Sequence, residues 1–329
     1  MVRWGASMVP RAPAPSLQIA FAAALLLATG CIDLGGLAGG RRPLEETVVF
    51  GTSGPPVLLL DIRGAIIDAD EPGFLGTGPE STVARVREQL ARAERSGVRG
   101  VLLRIDSPGG SASASEMIYR NLLAFKARTR VPVVAQMMGT AASGGYYVAM
   151  AADEIQAYPT TVTGSIGVIM AGLNFAGLME KLGIENQTFT GGAFKDAGSP
   201  LRDMRAEERA YIQAITDALH ARFKEVVAAG RPGLTPERVS ELADGRVYVA
   251  QQALENGLID RIGTIEEAVA RVEALAGVSS SRVVSYHRPN EYRDNLYTRA
   301  APGPVLQLDL RPLLGPSPGF HYLWLPRTN

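Results

Sequence analysis

Gly100-Val-Leu-Leu-Arg-Ile-Asp-Ser-Pro-Gly-Gly110 runs from a short apolar segment straight into a glycine-bearing turn. Such a run, bounded by turn residues, is the pattern of a strand buried on both faces. Outward from it, Val57-Leu-Leu-Leu-Asp-Ile-Arg-Gly64 and Val131-Pro-Val-Val-Ala-Gln136 repeat the pattern. Between these runs, Ser81 to Ser96 sets Val83, Val86, Leu90 and Ala93 at helical spacing, and Ser113 to Arg128 behaves alike. Strand and helix alternate, which predicts an α/β fold with a largely parallel sheet. Further on, Arg205 to Ala229 reads as one long amphipathic helix, with Ile212, Ile215, Leu219, Phe223 and Val226 on one stripe. Thr235 and Thr264 stand where a hydroxyl caps the start of two more helices.

The chain has 329 residues, 46% of them apolar and 20% charged, which is ordinary for a globular protein. Its 33 basic and 33 acidic side chains are interspersed, so no electrostatic field draws it to nucleic acid. At the N-terminus, Arg3 and Arg11 precede the apolar run Ile19 to Ala28, too short to span a bilayer but suited to an export signal. Thr29-Gly30-Cys31 follows and resembles the lipobox of bacterial lipoproteins. Residues 1–30 are therefore expected to be a lipoprotein signal peptide and Cys31 the lipid attachment site, with an ordinary cleaved signal as the alternative. Either way the chain is exported, and the lipid would hold it on a membrane, facing the periplasm or the cell exterior. Residues 31–46, rich in glycine, read as a flexible tether. A folded domain is expected over 47–278, and 279–329, where Pro and Gly recur, as a tail in which Val305 to Leu310 suggests one strand. With Cys31 lipidated no thiol remains, and no His/Cys cluster suggests a metal; no cofactor is expected.

Ser143 lies in Ala141-Ala-Ser-Gly-Gly-Tyr-Tyr147, between small residues that admit a substrate backbone and ahead of a predicted helix. It is a candidate nucleophile with the Gly144 amide beside it, or else a helix cap. Its usual partner is missing: His220 falls in the long helix, and His287 and His321 in the tail region. A neutral lysine can activate serine instead, whereas arginine cannot. The chain holds only four lysines, and Lys126, Lys181 and Lys224 fall in helical segments among charged neighbours. Lys195 alone sits in a site-like loop, Gly191-Gly-Ala-Phe-Lys-Asp-Ala-Gly-Ser-Pro200, or else is a surface lysine paired with Asp196. Within Thr161-Val-Thr-Gly-Ser-Ile-Gly-Val168, Ser165 offers a hydroxyl that could orient the amine without charging it, or one bonded to its own turn. Asp106-Ser-Pro-Gly-Gly110 ends its strand in a turn able to present amides to an oxyanion, and is also a common structural turn.

In order and spacing these four clusters resemble the motifs of the signal peptide peptidase A family of serine peptidases, in its short, single-repeat bacterial form. The resemblance covers about Val57 to Leu275, with Arg202 and Glu207-Glu208 continuing it past the lysine loop. It implies a Clp-protease/crotonase-like fold of repeated ββα units. It also implies Ser143 as nucleophile, Lys195 as general base, Ser165 as the residue orienting the amine, and the Gly110 and Gly144 amides as the oxyanion hole. Peptide substrates, among them signal-peptide remnants and other unfolded apolar peptides, are implied as well. So is a homo-oligomeric ring in which Ser and Lys can come from neighbouring protomers. The lipobox in place of a membrane helix and the unmatched tail are departures. A crotonase-type acyl-CoA enzyme and a catalytically idle scaffold lipoprotein are the competing expectations.

Overall fold

The structure is a computed structural model that describes residues 43–68, 80–289, 291, 293–298 and 320–324. The signal peptide, Cys31, most of the tether and the suggested strand Val305 to Leu310 lie outside the described residues. The chain opens with β1 (Glu45–Phe50), β2 (Pro56–Arg63) and α1 (Thr82–Ser96), and repeats the ββα order in β3 (Gly100–Ser107), β4 (Gly109–Ser111) and α2 (Ala112–Thr129). Next come β5 (Val133–Ala142), α3 (Gly144–Ala149), β6 (Glu154–Ala157) and β7 (Val162–Gly164). An arm follows, with β8 (Ile169–Met170), α4 (Ala176–Leu182) and the long α5 (Ala206–Gly230). The chain then returns through α6 (Pro236–Leu242), β9 (Val247–Val249), α7 (Ala250–Glu255), β10 (Arg261–Ile262), α8 (Ile265–Ala276) and β11 (Arg282–His287). Last is β12 (Phe320–Leu323).

The main sheet runs β1-β11-β2-β3-β5-β6-β10, with β7 and β9 attached beyond the second half of β5. From β11 to β10 every pairing on this path is parallel. The continuous apolar runs are explained by burial on both faces. Val57, Leu59, Leu102 and Val134 point to one face, where Ile265, Ala268, Val269 and Val272 of α8 cover them. Leu58, Leu60, Ile62, Val101, Leu103 and Val133 point to the other, under Val86, Leu90 and Ala93 of α1 and Ile118, Leu122 and Phe125 of α2. Caps mark the helix ends as their sequence suggests. The Ser81 side chain accepts from the Ala84 amide at 3.2 Å, and Thr264 with Glu267 forms a reciprocal capping box.

One row of side chains breaks the apolar pattern. Asp61, Arg104, Gln136 and Gln156 are register partners across β2, β3, β5 and β6, and all four are buried. Arg104 grips both Asp61 carboxylate oxygens at 2.9 Å, and Gln156 donates to Gln136 at 2.9 Å. Arg104 also donates to the carbonyls of Leu296 and, at 3.1 Å, Thr298, while Arg293 reaches Asp61 at 3.2 Å. The row thus ties the segment 293–298 down over the sheet. Burial alone would raise the Asp61 carboxyl, but its Arg104 hydrogen bonds and the charges of Arg104, Arg63 and Arg293 prevail and hold it down to about 2.

The expected tail boundary at Ser279 does not hold. Arg282–His287 is a buried strand inserted between β1 and β2, antiparallel to the first and parallel to the second. The long helix also departs from expectation. Phe223, Val226 and Val227 enter the core, but Ile212 and Ile215 on the same stripe are only half-buried. The rest of the arm is less covered still: α4 has no buried residue, and Leu178, Leu182, Ile184 and Phe189 are exposed.

Candidate active site

The parallel strands β3 and β5 end at the same edge of the sheet, the edge where open α/β folds place their sites. At the end of β5, Ser143 takes φ 54° and ψ −116°, a conformation that a residue with a side chain adopts at a cost of about 1–3 kcal/mol. Its amide donates to the Gly164 carbonyl at 2.7 Å, and its carbonyl accepts from the Tyr147 amide at 2.8 Å, so the backbone is held from both sides. Ser165 also has a positive φ, 51°, and its amide is fixed to the Arg246 carbonyl at 2.8 Å. Among the described residues only one further non-glycine residue, Arg130 at a helix end, shares this feature. Backbone strain therefore falls on the two candidate serines. Both are buried, Ser143 at 1% exposure, and neither hydroxyl makes a hydrogen bond among the described residues.

The turn after β3 directs one amide away from the neighbouring Ile66 segment. The Ser107 hydroxyl donates to the Gly64 carbonyl at 2.6 Å and accepts from the Gly109 amide at 3.1 Å, closing the turn on itself. Ile66 then bonds to the Gly109 carbonyl and the Ser111 amide, both at 2.9 Å. Because neighbouring residues of a strand point their polar groups oppositely, Gly110 turns its own N–H away from Ile66. Gly110 must be glycine for this: a Cβ would fall 2.2 Å from the Ile66 carbonyl oxygen. Gly110→Ala should lower unfolding free energy by about 1–3 kcal/mol, read from the denaturation midpoint; an unchanged midpoint would show that Ile66 yields freely. Gly144 lies alongside, since a Cβ on Gly109 would come within 2.7 Å of the Gly144 nitrogen. Three of the four sequence clusters, carrying Gly110, Ser143 with Gly144, and Ser165, are thus brought together.

The fourth is not. Lys195 is exposed on the arm, and among the described residues neither it nor Ser143 makes a side-chain hydrogen bond or ion pair. The expected alternative, pairing with Asp196, is also absent. Asp196 is taken by Arg202 at 2.7 Å, and Arg202 also grips the fully shielded Glu208 at 2.6 Å. Hydrogen bonds from Arg202, and further ones from Arg205, hold the Glu208 carboxyl down to about 2. The cluster thus engages Asp196 and leaves the lysine without an ion-pair partner among the described residues. Phe194 packs instead on Tyr211, with ring centres 5.3 Å apart.

Sequence reasoning missed the residues that cover this edge. β12 lies between β4 and β8 in a second small sheet, Tyr322 opposite Gly110. No local pattern announces Tyr322, and only the long-range pairing reveals it. Among the described residues no group of three or more His, Cys, Asp and Glu side chains is placed to hold a metal ion, and no helix is long and apolar enough to cross a membrane.

Comparison with known proteins places the chain among peptidases. The model of peptidase family S49 matches residues 126–279, and that of the Clp protease family matches residues 71–163. The second match agrees with the ββα repeats. A protein of Enterococcus faecium named as a signal peptide peptidase SppA is 37% identical over 248 residues, which are 75% of this chain and 72% of that protein. The chloroplastic serine protease SPPA of Arabidopsis thaliana is 36% identical over 216 residues, 63% of this chain but 32% of its own longer one. Among solved structures, a mutant of the 1510-N membrane-bound stomatin-specific protease aligns over 67% of this chain and 86% of its own, at 17% identity and a TM-score of 0.41.

Proposed function

The chain belongs to peptidase family S49 and is a serine peptidase, and from that premise we propose that Ser143 is its nucleophile and Lys195 its general base. The observation that carries this reading is the convergence of three turns on a strained, buried Ser143. The neutral amine takes the Oγ proton as Oγ attacks the peptide carbonyl. The Gly110 and Gly144 amides hold the oxyanion, each such donor contributing about 2.7–4 kcal/mol in comparable hydrolases. The amine passes its proton to the leaving nitrogen, and then activates the water that frees the acyl group from Ser143. Ser165 orients the amine, and as a hydroxyl it does so without stabilising the charged form.

In a single chain Lys195 stands apart on an arm that exposes Leu178, Leu182, Ile184 and Phe189. We read that arm as docking on a second copy, so that one protomer's Lys195 serves its partner's Ser143 and the copies close into a ring. Two features support this: the half-buried stripe of α5 and α4, which has no buried residue. Lipid attachment at Cys31 would hold the ring at a membrane, close to the apolar signal-peptide remnants and unfolded peptides we take as substrates.

A fluorophosphonate probe tests the dyad, because it reports serine activation without any peptide. Labelling is expected at Ser143, with the rate falling roughly 10²–10⁴-fold in Lys195→Ala. Peptide mapping of the labelled protein is the check; undiminished labelling of the Lys195→Ala chain would defeat the assignment of the base.

A further inference from the structure

Over residues 167–222 only one residue is buried, and it carries a charge: Glu208. In the same stretch Leu178, Leu182, Ile184 and Phe189 are exposed and Ile212 and Ile215 half-buried, so no apolar core is what shields it. A carboxylate is the costliest kind of group to take out of water, and it stays there only when several donors replace the water. Helix capping does not require the burial. Glu208 stands in the first turn of α5, where its side chain accepts from the Arg205 amide at 3.0 Å. Glu267 does the same for α8, accepting from the Thr264 amide at 2.7 Å, and stays exposed.

The difference lies in two guanidinium groups. Arg202 donates to both Glu208 oxygens, at 2.6 and 2.9 Å, and Arg205 donates to one of them. Each arginine then reaches past the carboxylate to the loop that carries the lysine. Arg202 donates to the Asp196 carboxylate at 2.7 Å and to the Asp196 carbonyl at 3.2 Å. Arg205 donates to the Ala193 carbonyl. Residues 193 and 196 stand on either side of Lys195. The loop between them folds on itself, the Lys195 amide donating to the Gly192 carbonyl at 3.2 Å and the Ala197 amide to the Phe194 carbonyl at 3.1 Å. The backbone around Lys195 is thus tied from both sides to one carboxylate.

We infer that Glu208 is a positioning residue for the general base: through Arg202 and Arg205 it fixes the backbone on either side of Lys195 and so sets where the amine is presented. This rests on the reading above in which Lys195 takes the Ser143 proton. Proton transfer depends steeply on placement, a displacement of about 1 Å costing about 10²-fold in rate. An arm with no apolar core needs polar contacts to hold a loop to that tolerance. Guanidinium groups suit the task, because a planar fork fixes direction as well as distance. All the contacts of the clamp lie within one chain, so it travels with the lysine whichever copy's serine it serves.

A double-mutant cycle on the full chain tests it, read as the rate at which a fluorophosphonate labels Ser143. Glu208→Ala should slow labelling about 10–10²-fold, with kcat for a peptide falling alike and KM staying within about threefold. Glu208→Gln keeps the shape without the charge and should lose less. In a Lys195→Ala chain, adding Glu208→Ala should slow labelling no further, because Glu208 acts only through the lysine. If Glu208→Ala does not fold, Arg202→Lys takes its place in the cycle with the same expectations, since an ammonium lacks the fork that spans Glu208 and Asp196. Labelling of a folded Glu208→Ala chain at the wild-type rate overturns the inference, and so does an equal further loss in the Lys195→Ala chain; both results leave the Ser143–Lys195 pair standing. Undiminished labelling of Lys195→Ala alone removes that pair, and the inference with it.

Discussion

A chain carrying Lys195→Arg is expected to hydrolyse peptides roughly 10²–10⁴-fold more slowly than wild type, although it keeps the positive charge and most of the reach. Arginine does not surrender its proton in proteins, so it cannot take the one on Ser143. The surroundings make the substitution clean. The Lys195 side chain has no hydrogen bond or ion pair among the described residues, and its neighbour Asp196 is already held by Arg202. A loss of rate therefore reports proton transfer rather than a broken contact. The measurement is kcat at saturating peptide, with the thermal midpoint as control for folding. Activity within threefold of wild type would remove the lysine from the mechanism and oblige Ser143 to find another base.

Asp61→Ala is expected to cost about 3–5 kcal/mol of stability, far more than its size suggests. The substitution leaves Arg104 and Arg293, at 2% and 6% exposure, without their shared carboxylate. It also loosens the segment 293–298 that Arg104 ties to the sheet. Denaturant unfolding of the two chains side by side gives the difference, and a loss below about 1 kcal/mol would mean that water reaches the guanidinium groups. Acid should act on the same bond. The folded Asp61 carboxyl sits at about 2, below its ordinary 3.8, so its stabilisation is complete above that ordinary value and fades as pH falls through the folded one. The Asp61→Ala chain should lack this component of the acid sensitivity.

The strands beside the site were legible because burial on both faces leaves a continuous apolar run, as in Leu58 to Leu60. Its glycines were legible because close backbone approach excludes a Cβ, as at Gly110. The helical period of α5 was legible too, but its exposure was not. An apolar stripe such as Ile212 and Ile215 records that a face is covered, without saying whether its own chain covers it. The tail boundary failed because the place of β11 between β1 and β2 is set by distant partners, not by anything near Arg282. Tyr322 was invisible for the same reason. Lys195 could be singled out by elimination among four lysines, yet a single chain does not bring it to Ser143.

The row Asp61, Arg104, Gln136 and Gln156 also constrains how this protein can change over evolutionary time. Asp61 is bonded to Arg104 and Gln136 to Gln156, so a single exchange strands a buried charge or amide, while simultaneous replacement of a pair by aliphatic residues of similar volume can be nearly neutral. Divergence at these positions should therefore occur in pairs: a lineage keeps Asp61 and Arg104 or loses both, together with the arginine that leans on Asp61 from residue 293.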